Sequence, residues 1–539
     1  MMDEQPATPL PGRMQHWGLT LDRLLDHAAR WHGAREIVSR HADGQLSRHD
    51  YASLHHAAKR ISRALLDAGI RPGDRIATLA SNNADHLALW YGAMGVGIVC
   101  HTLNPRLHID QLLYIVRHAG DRILFADDVQ APLASALMQG YPALEGAWLI
   151  NAPSNAAEGP LPTLEHFVAD APAQAEWGGF DENSAAGLCY TSGTTGNPKG
   201  VLYSHRSNTM LAMNTIMPDA FNLSCRDIIM PVVPMYHANT WGLAFSGVMT
   251  GAKLVLPGPL LDGASLHQLI AEEGVTFSAG VPTVWQAYVD HLRTRGITRS
   301  ELKRVVIGGS ACPETLMDDM QALGIEVLHA WGMTELSPVG LAATSTPDIL
   351  ALPPEEQRPL ALKQGHPVGT DARIMDDAGM VLAHDGETAG RLMVRGPAVI
   401  ERYYGVDDSA LENGWFDTGD IATIDAYGFV RITDRAKDII KSGGEWISSV
   451  DIENAVMAHP DVALAAVVAI ADPKWGERPK LYVQLRPGAE RQPEEFRAFL
   501  TDRIARWWMP DEVEIITEIP IGSTGKIDKK ILRTIAAGD

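Results

Sequence analysis

Between Leu21 and Ala126 helical spacing and short apolar runs take turns along the chain, and this alternation restricts the fold more than any other feature of the sequence. Leu21, Leu24, Leu25 and Ala28 recur at the interval of one helix face. The runs Ile37–Ser39 and Arg75–Ala80 follow, the second entered through the turn Pro72-Gly73-Asp74. Ser81-Asn82-Asn83 predicts a capped helix to about Ala93, after which Ile98–Cys100 is β-prone. Another helix, about Ile109–Ala119, leads into Arg122–Ala126. Such a chain builds parallel sheet, because each strand returns to its starting direction through a helix.

Composition narrows the class. Apolar residues make up 46% and charged ones 21%, as in a soluble globular chain without long disorder. A net charge of −21 disfavours nucleic acid or an anionic membrane as partner, although a local loop can still outweigh it for a small anion. Cys100, Cys189, Cys225 and Cys312 form no C-x-x-C pair and are expected to be reduced core thiols. Met1–Met14 carries prolines and acids where a signal peptide has its apolar core, and no uncharged apolar run reaches about 18 residues. The expectation is a cytoplasmic protein without stable membrane insertion. Asn151–Pro160 reads as a surface connection.

The run Tyr190–Val201 crowds Thr191, Ser192, Thr194 and Thr195 with Gly193, Gly196, Gly200 and Lys199 into one loop after the apolar run Ala185–Cys189. Glycines admit close backbone approach and hydroxyls add donors, which suits a polyphosphate. It is not the usual P-loop: counting from Gly193, the second glycine of that pattern falls on Pro198, and Lys199 is followed by Gly200.

Further motifs follow strand-like runs. Asp227–Val233 ends in Pro234-Met235-Tyr236-His237-Ala238-Asn239-Thr240-Trp241, where His237 and Trp241 could each be plain core. Leu302–Ile307 ends at Gly308-Gly309-Ser310-Ala311, and Val327–Ala330 at Trp331-Gly332-Met333-Thr334-Glu335. Asp420 precedes the β-prone run Ile421–Ile424. Charges packed in Thr433–Asp438 before Gly443-Gly444 mark a linker, giving domains 1–435 and 436–539. Beyond it a helix to about His459, strands Val462–Ile470 and Leu481–Leu485, and a helix at about Glu494–Ile504 make a compact unit. Its last motif is Pro520-Ile521-Gly522-Ser523-Thr524-Gly525-Lys526.

These motifs, in this order over nearly the whole chain, closely resemble those of the adenylate-forming acyl-CoA synthetase family. The resemblance implies an α/β fold, with a large N-terminal domain of doubly wound mixed sheets and a small, mobile α+β C-terminal lid. It implies that Thr191 to Gly196 and Lys199 hold phosphates, that Gly309 and Ser310 meet adenine, and that Ala330, Trp331, Gly332, Met333, Thr334 and Ile432 complete the nucleotide site. Glu335 would hold Mg2+, Asp420 the ribose hydroxyls, and Arg435 ribose or phosphate. His237 and Trp241 would border the acyl pocket, with His237 also counted among the catalytic residues beside Glu335 and the mobile Lys526. Lys437 would be the hinge, and Lys441, Gly443, Gly444, Glu445 and Trp446 would face coenzyme A.

The implied reaction joins a carboxylic acid to ATP, releasing pyrophosphate, and then to coenzyme A, releasing AMP. The Trp331–Pro338 form is similar to that of medium-chain fatty acyl-CoA ligases and 3-methylmercaptopropionate-CoA ligases, so a short or medium-chain acid or the thioether acid is expected. An aryl or long-chain acid and a non-catalytic nucleotide-binding homologue are the alternatives, and a homodimer is left open. A luciferase-type oxygenase would share every motif, and an NTP-hydrolysing motor is disfavoured by the missing P-loop.

Overall fold

The computed structural model describes residues 12–151, 161–171, 175–191, 197–443 and 445–538, with the Glu445 side chain excepted. Two large sheets carry the N-terminal part. One has six strands in the order Gly146–Ile150, Ile123–Asp127, Arg75–Leu79, Val99–Thr102, Ala185–Tyr190, Gly200–Ser204, parallel except for the last. The other has nine, with the parallel run Glu326–Gly332, Arg304–Ile307, Phe277–Gly280, Ile228–Pro231, Lys253–Leu256, Glu36–Arg40 at its centre and antiparallel strands at both ends.

The β-α-β rhythm is therefore real, but it feeds two sheets. Ile37–Ser39 pairs with Leu254–Leu256, whereas Arg75–Leu79 pairs with Val99–Thr102 and Ile123–Ala126. Local alternation fixes a strand's direction without naming its neighbour.

Pleating explains the layers. Ile37 and Ile76 point into one apolar cluster, while their neighbours Val38 and Ala77 point into two others on the far faces. The central cluster joins both sheets through helices Asp22–Trp31, Tyr51–Asp67, Ala84–Met94 and Leu243–Thr250. Every residue of Ala84–Met94 except Asp85 is buried, as befits a helix apolar on all sides. Asn83 caps it, its side chain accepting from the His86 amide at 2.9 Å. The Tyr51 hydroxyl, deep in the same layer, donates to the carbonyls of Ala252 (2.7 Å) and Gly247 (3.1 Å).

Two five-stranded sheets complete the chain. An antiparallel one, Asp371–Met375, Gly390–Arg395, Trp415–Ile424, Leu411–Glu412 and Val430–Arg435, brings Asp420 and Arg435 side by side in register. The other contains Glu445–Ile447, Ile440–Ser442, Gly476–Leu485, Val462–Asp472 and Glu512–Ile515. Helices Ser449–Met457 and Pro493–Leu500 pack on one face of it and Lys529–Ala537 on the other.

Several expectations need correction. Asp227–Val233 shortens to Ile228–Pro231, and the helices expected to His459 and Ile504 end at Met457 and Leu500. The run Ile421–Ile424 is the end of a longer and mostly buried strand, Trp415–Ile424, whose stretch Asp417-Thr418-Gly419-Asp420 gives no apolar signal, so Asp420 lies inside a strand rather than at its end. Cys100, Cys189 and Cys312 are buried free thiols, but Cys225 is exposed, on the turn before Ile228. Of the connection Asn151–Pro160, residues 152–160 fall outside the described residues. No described helix is long and apolar enough to cross a membrane.

Candidate active site

The two parts of the chain meet around a cavity of about 1430 Å³, ample for a nucleotide with an acyl group. Its floor is where parallel strands end. Arg304–Ile307 opens into Gly308-Gly309, and Glu326–Gly332 delivers Trp331. Gly309 has φ +81°, and a Cβ there would stand 3.2 Å from both Lys526 Cε and Val281 Cγ1, so a side chain would be strained in its backbone and would crowd the lysine. At Gly332 a Cβ would fall 2.0 Å from the Pro338 carbonyl. The Trp241 indole lies over the same turn, 3.3 Å from the position a Gly308 Cβ would take.

Asp420 is the electrostatic centre. It is 1% exposed, with Arg435 Nε at 2.7 Å from Oδ1 and Trp331 Nε1 donating to Oδ2 at 2.8 Å. Burial pushes its carboxyl up, while Arg435, Trp331 and Lys526 hold it down. The Arg435 approach is an ion pair without hydrogen-bond alignment, which leaves Oδ1 a buried acceptor with no donor. A ribose hydroxyl fits that need.

Lys526 enters from the C-terminal part. Gly522 donates its amide to the Lys526 carbonyl at 2.7 Å, and Gly525 at φ +79° turns the chain so that the ammonium is directed inward. The Thr283 hydroxyl donates to the Gly525 carbonyl (3.0 Å), and Asn104 Nδ2 to that of Ser523 (3.3 Å), docking the loop on the N-terminal part. Burial and the Arg435 charge lower the Lys526 ammonium to about 8, against the pull of Asp420. His237, half-buried nearby, is lowered to about 3 by burial and the Lys526 charge, so its imidazole is neutral.

Glu335 is buried, accepts from the Tyr403 hydroxyl at 2.9 Å, and has its carboxyl raised by burial against Tyr403, Arg435 and Lys199. Lys199 stands over the Tyr403 ring at 4.6 Å. The neck of the Tyr190–Val201 loop is closed by Thr191 and Lys199, with the Thr191 amide donating to the Lys199 carbonyl at 2.9 Å. Ser192, Gly193, Thr194, Thr195 and Gly196 lie outside the described residues. No group of three His, Cys, Asp or Glu side chains that could hold a metal occurs among the described residues. A magnesium ion at Glu335 fits only with substrate phosphate and water as its other oxygens, which is that ion's usual habit.

Thr191, Lys199, His237, Trp241, Gly309, Ser310, Ala330–Glu335, Asp420, Ile432, Arg435, Lys437 and Lys526 all line this cavity. The segment expected to face coenzyme A does not. Lys441 and Trp446 are exposed on a hairpin outside it, Gly443 packs under Trp475, and Gly444 lies outside the described residues. Tyr403, Thr283 and Asn104 were not foreseen, since no local pattern marks a contact made across such sequence separations.

Comparison with known proteins supplies the family. The model of the AMP-binding enzyme matches residues 24–404, and that of the AMP-binding enzyme C-terminal domain matches 451–526. The chain belongs to the AMP-binding enzyme family. This member is 46% identical to a medium-chain-fatty-acid–CoA ligase of Ectopseudomonas oleovorans, covering 97% of each chain. It is 45% identical to a 3-methylmercaptopropionyl-CoA ligase of Ruegeria lacuscaerulensis, over 97% of this chain and 98% of that one. A crystal structure of an anthranilate CoA ligase with anthranoyl-AMP superposes with a TM-score of 0.84 at 23% identity, covering 96% of this chain and 97% of that one, which speaks for the family fold.

Proposed function

We propose that the chain is an AMP-forming acyl-CoA ligase acting on a short or medium-chain fatty acid or on 3-methylmercaptopropionate. The observation that carries this reading is that Lys526, lying against the Gly309 turn, and the Arg435–Asp420 pair face one cavity together with Glu335 and Lys199. Residues 1–435 bind acid and ATP, and 436–539 act as a lid.

In the first step the acid's carboxylate attacks the α-phosphorus of ATP and pyrophosphate leaves. Lys526 spans the carboxylate and α-phosphate, placing a point charge where negative charge gathers. Asp420 and Arg435 hold the ribose, and Lys199 with the loop neck at Thr191 receives the leaving group. A magnesium ion at Glu335 would neutralise phosphate charge. In the second step the lid turns about Lys437, withdraws Lys526 and brings the hairpin of Lys441 and Trp446 to the site for thiol attack. Two similar relatives name a medium-chain fatty acid and 3-methylmercaptopropionate as their acids, and a thioether is nearly isosteric with methylene. The Trp241 indole and an uncharged His237, both lining the cavity, support an apolar acyl group here.

The test is AMP and pyrophosphate release with ATP and magnesium across acetate, butyrate, 3-methylmercaptopropionate, octanoate, palmitate and benzoate, with and without coenzyme A. The expected result is a sharp optimum at one of the middle acids and turnover that needs coenzyme A. Absence of turnover with every acid rejects the ligase reading.

The lowered Lys526 ammonium also sets a pH dependence. Its charge is present below about 8 in the free enzyme and is lost above it. The kcat/KM for ATP is therefore expected to be level below that point and to fall as pH rises through it. In Lys526→Arg, which keeps its charge, the descending limb disappears at lower overall rate; an unchanged limb there assigns the titration to another group.

A further inference from the structure

A largely buried ionic network, whose Asp434, Glu453 and Lys529 also line the cavity, crosses the turn that joins the two parts of the chain. Asp434, 1% exposed, accepts on Oδ2 from the amide (2.7 Å) and hydroxyl (2.8 Å) of Ser449, the fully buried first residue of helix Ser449–Met457. Lys529 Nζ donates to the same hydroxyl at 2.7 Å and pairs with Glu453 at 2.8 Å. Glu453 in turn accepts from the Val467 amide at 2.7 Å, in the middle of the lid's sheet. Alongside, the Ser448 hydroxyl donates to the Thr433 carbonyl at 2.8 Å, and Arg431 pairs with Asp451.

The two ends of this network lie on opposite sides of the turn Ala436–Asp438. Asp434 precedes it, whereas Ser449, Glu453 and Lys529 follow it, and Lys529 lies just beyond Lys526 on the same terminal segment. Successive residues of a strand face opposite ways, so Arg435 holds Asp420 in the nucleotide site while Asp434 holds the lid. A carboxylate accepting two bonds at a helix N-terminus is a strong fastening, because the bonds are charge-assisted and the helix end favours negative charge. Any rotation about Lys437 must break it, since it joins atoms on the two sides of that residue.

We propose that Asp434 is a positioning residue that fastens the lid in the orientation that inserts Lys526, and so sets the balance between acyl-adenylate formation and thiol attack. This rests on the ligase reading above. Glu453 and Lys529 carry the fastening into the lid's sheet and to the lysine loop, so loosening one end frees the other.

The test uses the full chain with Asp434→Ala, and Ser449→Ala as a milder variant that carries the test alone if the first does not fold. Loss of the two bonds is expected to speed amide hydrogen exchange at Ser449 and across Ile521–Lys526 about tenfold, with Val462–Asp472 unchanged. ATP–pyrophosphate exchange should fall about tenfold, while thioester formation from supplied acyl-AMP keeps or exceeds its wild-type rate. Ser449→Ala should move both readouts the same way by less. Unchanged exchange in the lysine loop, faster exchange throughout the lid's sheet, or equal loss in both half-reactions overturns the proposal. If the wild type exchanges pyrophosphate with no acid, the ligase reading fails, and hydrogen exchange alone then decides whether Asp434 fastens the lid.

Discussion

Lys526→Ala is expected to lower acyl-adenylate formation about a thousandfold and to leave thioester formation from supplied acyl-AMP near its wild-type rate. The asymmetry follows from where the ammonium sits. It is half-buried beside Arg435 and Asp420, with Cε against the Gly309 turn, and partial exclusion of water strengthens its field. Its charge would act where negative charge gathers as the carboxylate oxygen bonds to the α-phosphorus and pyrophosphate leaves; in the second step the thiol attacks the acyl carbon and AMP leaves, with the proposed lid rotation having already withdrawn the ammonium. Lys526→Arg should recover only part of the rate, because Val281 and Gly309 leave little room for a planar guanidinium. Separate assays of pyrophosphate exchange and acyl-AMP thiolysis make the comparison, and equal loss in both rejects the role assigned to Lys526.

Part of this site was legible because the motifs at Gly308-Gly309 and Trp331–Glu335 follow apolar runs that form parallel strands, so each marks a point on the sheet's ligand edge. The antiparallel sheet that holds Asp420 and Arg435 was not legible as a sheet. Asp371–Met375 runs from exposed to buried without alternation, Trp415–Ile424 is mostly buried but interrupted by Asp417-Thr418-Gly419-Asp420, which reads as a turn, and Leu411–Glu412 is too short to register. The contacts that dock the lysine loop were hidden for a different reason. Asn104 and Ser523, or Thr283 and Gly525, carry no local pattern, and only the closed structure brings them together. Asp434 was visible as one of several linker charges, yet its partner Ser449 looked like an ordinary helix start. Cys225 was misread because cysteine's general habit of burial says nothing about a particular turn.

Lys437→Pro is expected to slow coenzyme A-dependent acyl-CoA release about a hundredfold, while pyrophosphate exchange stays within about threefold of wild type. In the orientation seen here the turn is held by the Ala436 amide to the Gly419 carbonyl at 3.0 Å, and by the Asp438 and Ile439 amides to the Arg435 carbonyl, both at 2.9 Å. None of these bonds uses the Lys437 amide, so a proline removes none of them. It does lock φ near −65° and restrict Ala436 before it, which takes away the dihedral freedom that a lid rotation would consume. Lys437→Ala, which keeps that freedom, should retain both steps and so separates the backbone effect from loss of the side chain. A fall in pyrophosphate exchange as large as that in acyl-CoA release would place the damage in the turn through Ala436. Unchanged overall turnover in Lys437→Pro would mean that the chain pivots elsewhere, and Asp434, on the near side of Lys437, would then no longer have to release Ser449 between the two steps.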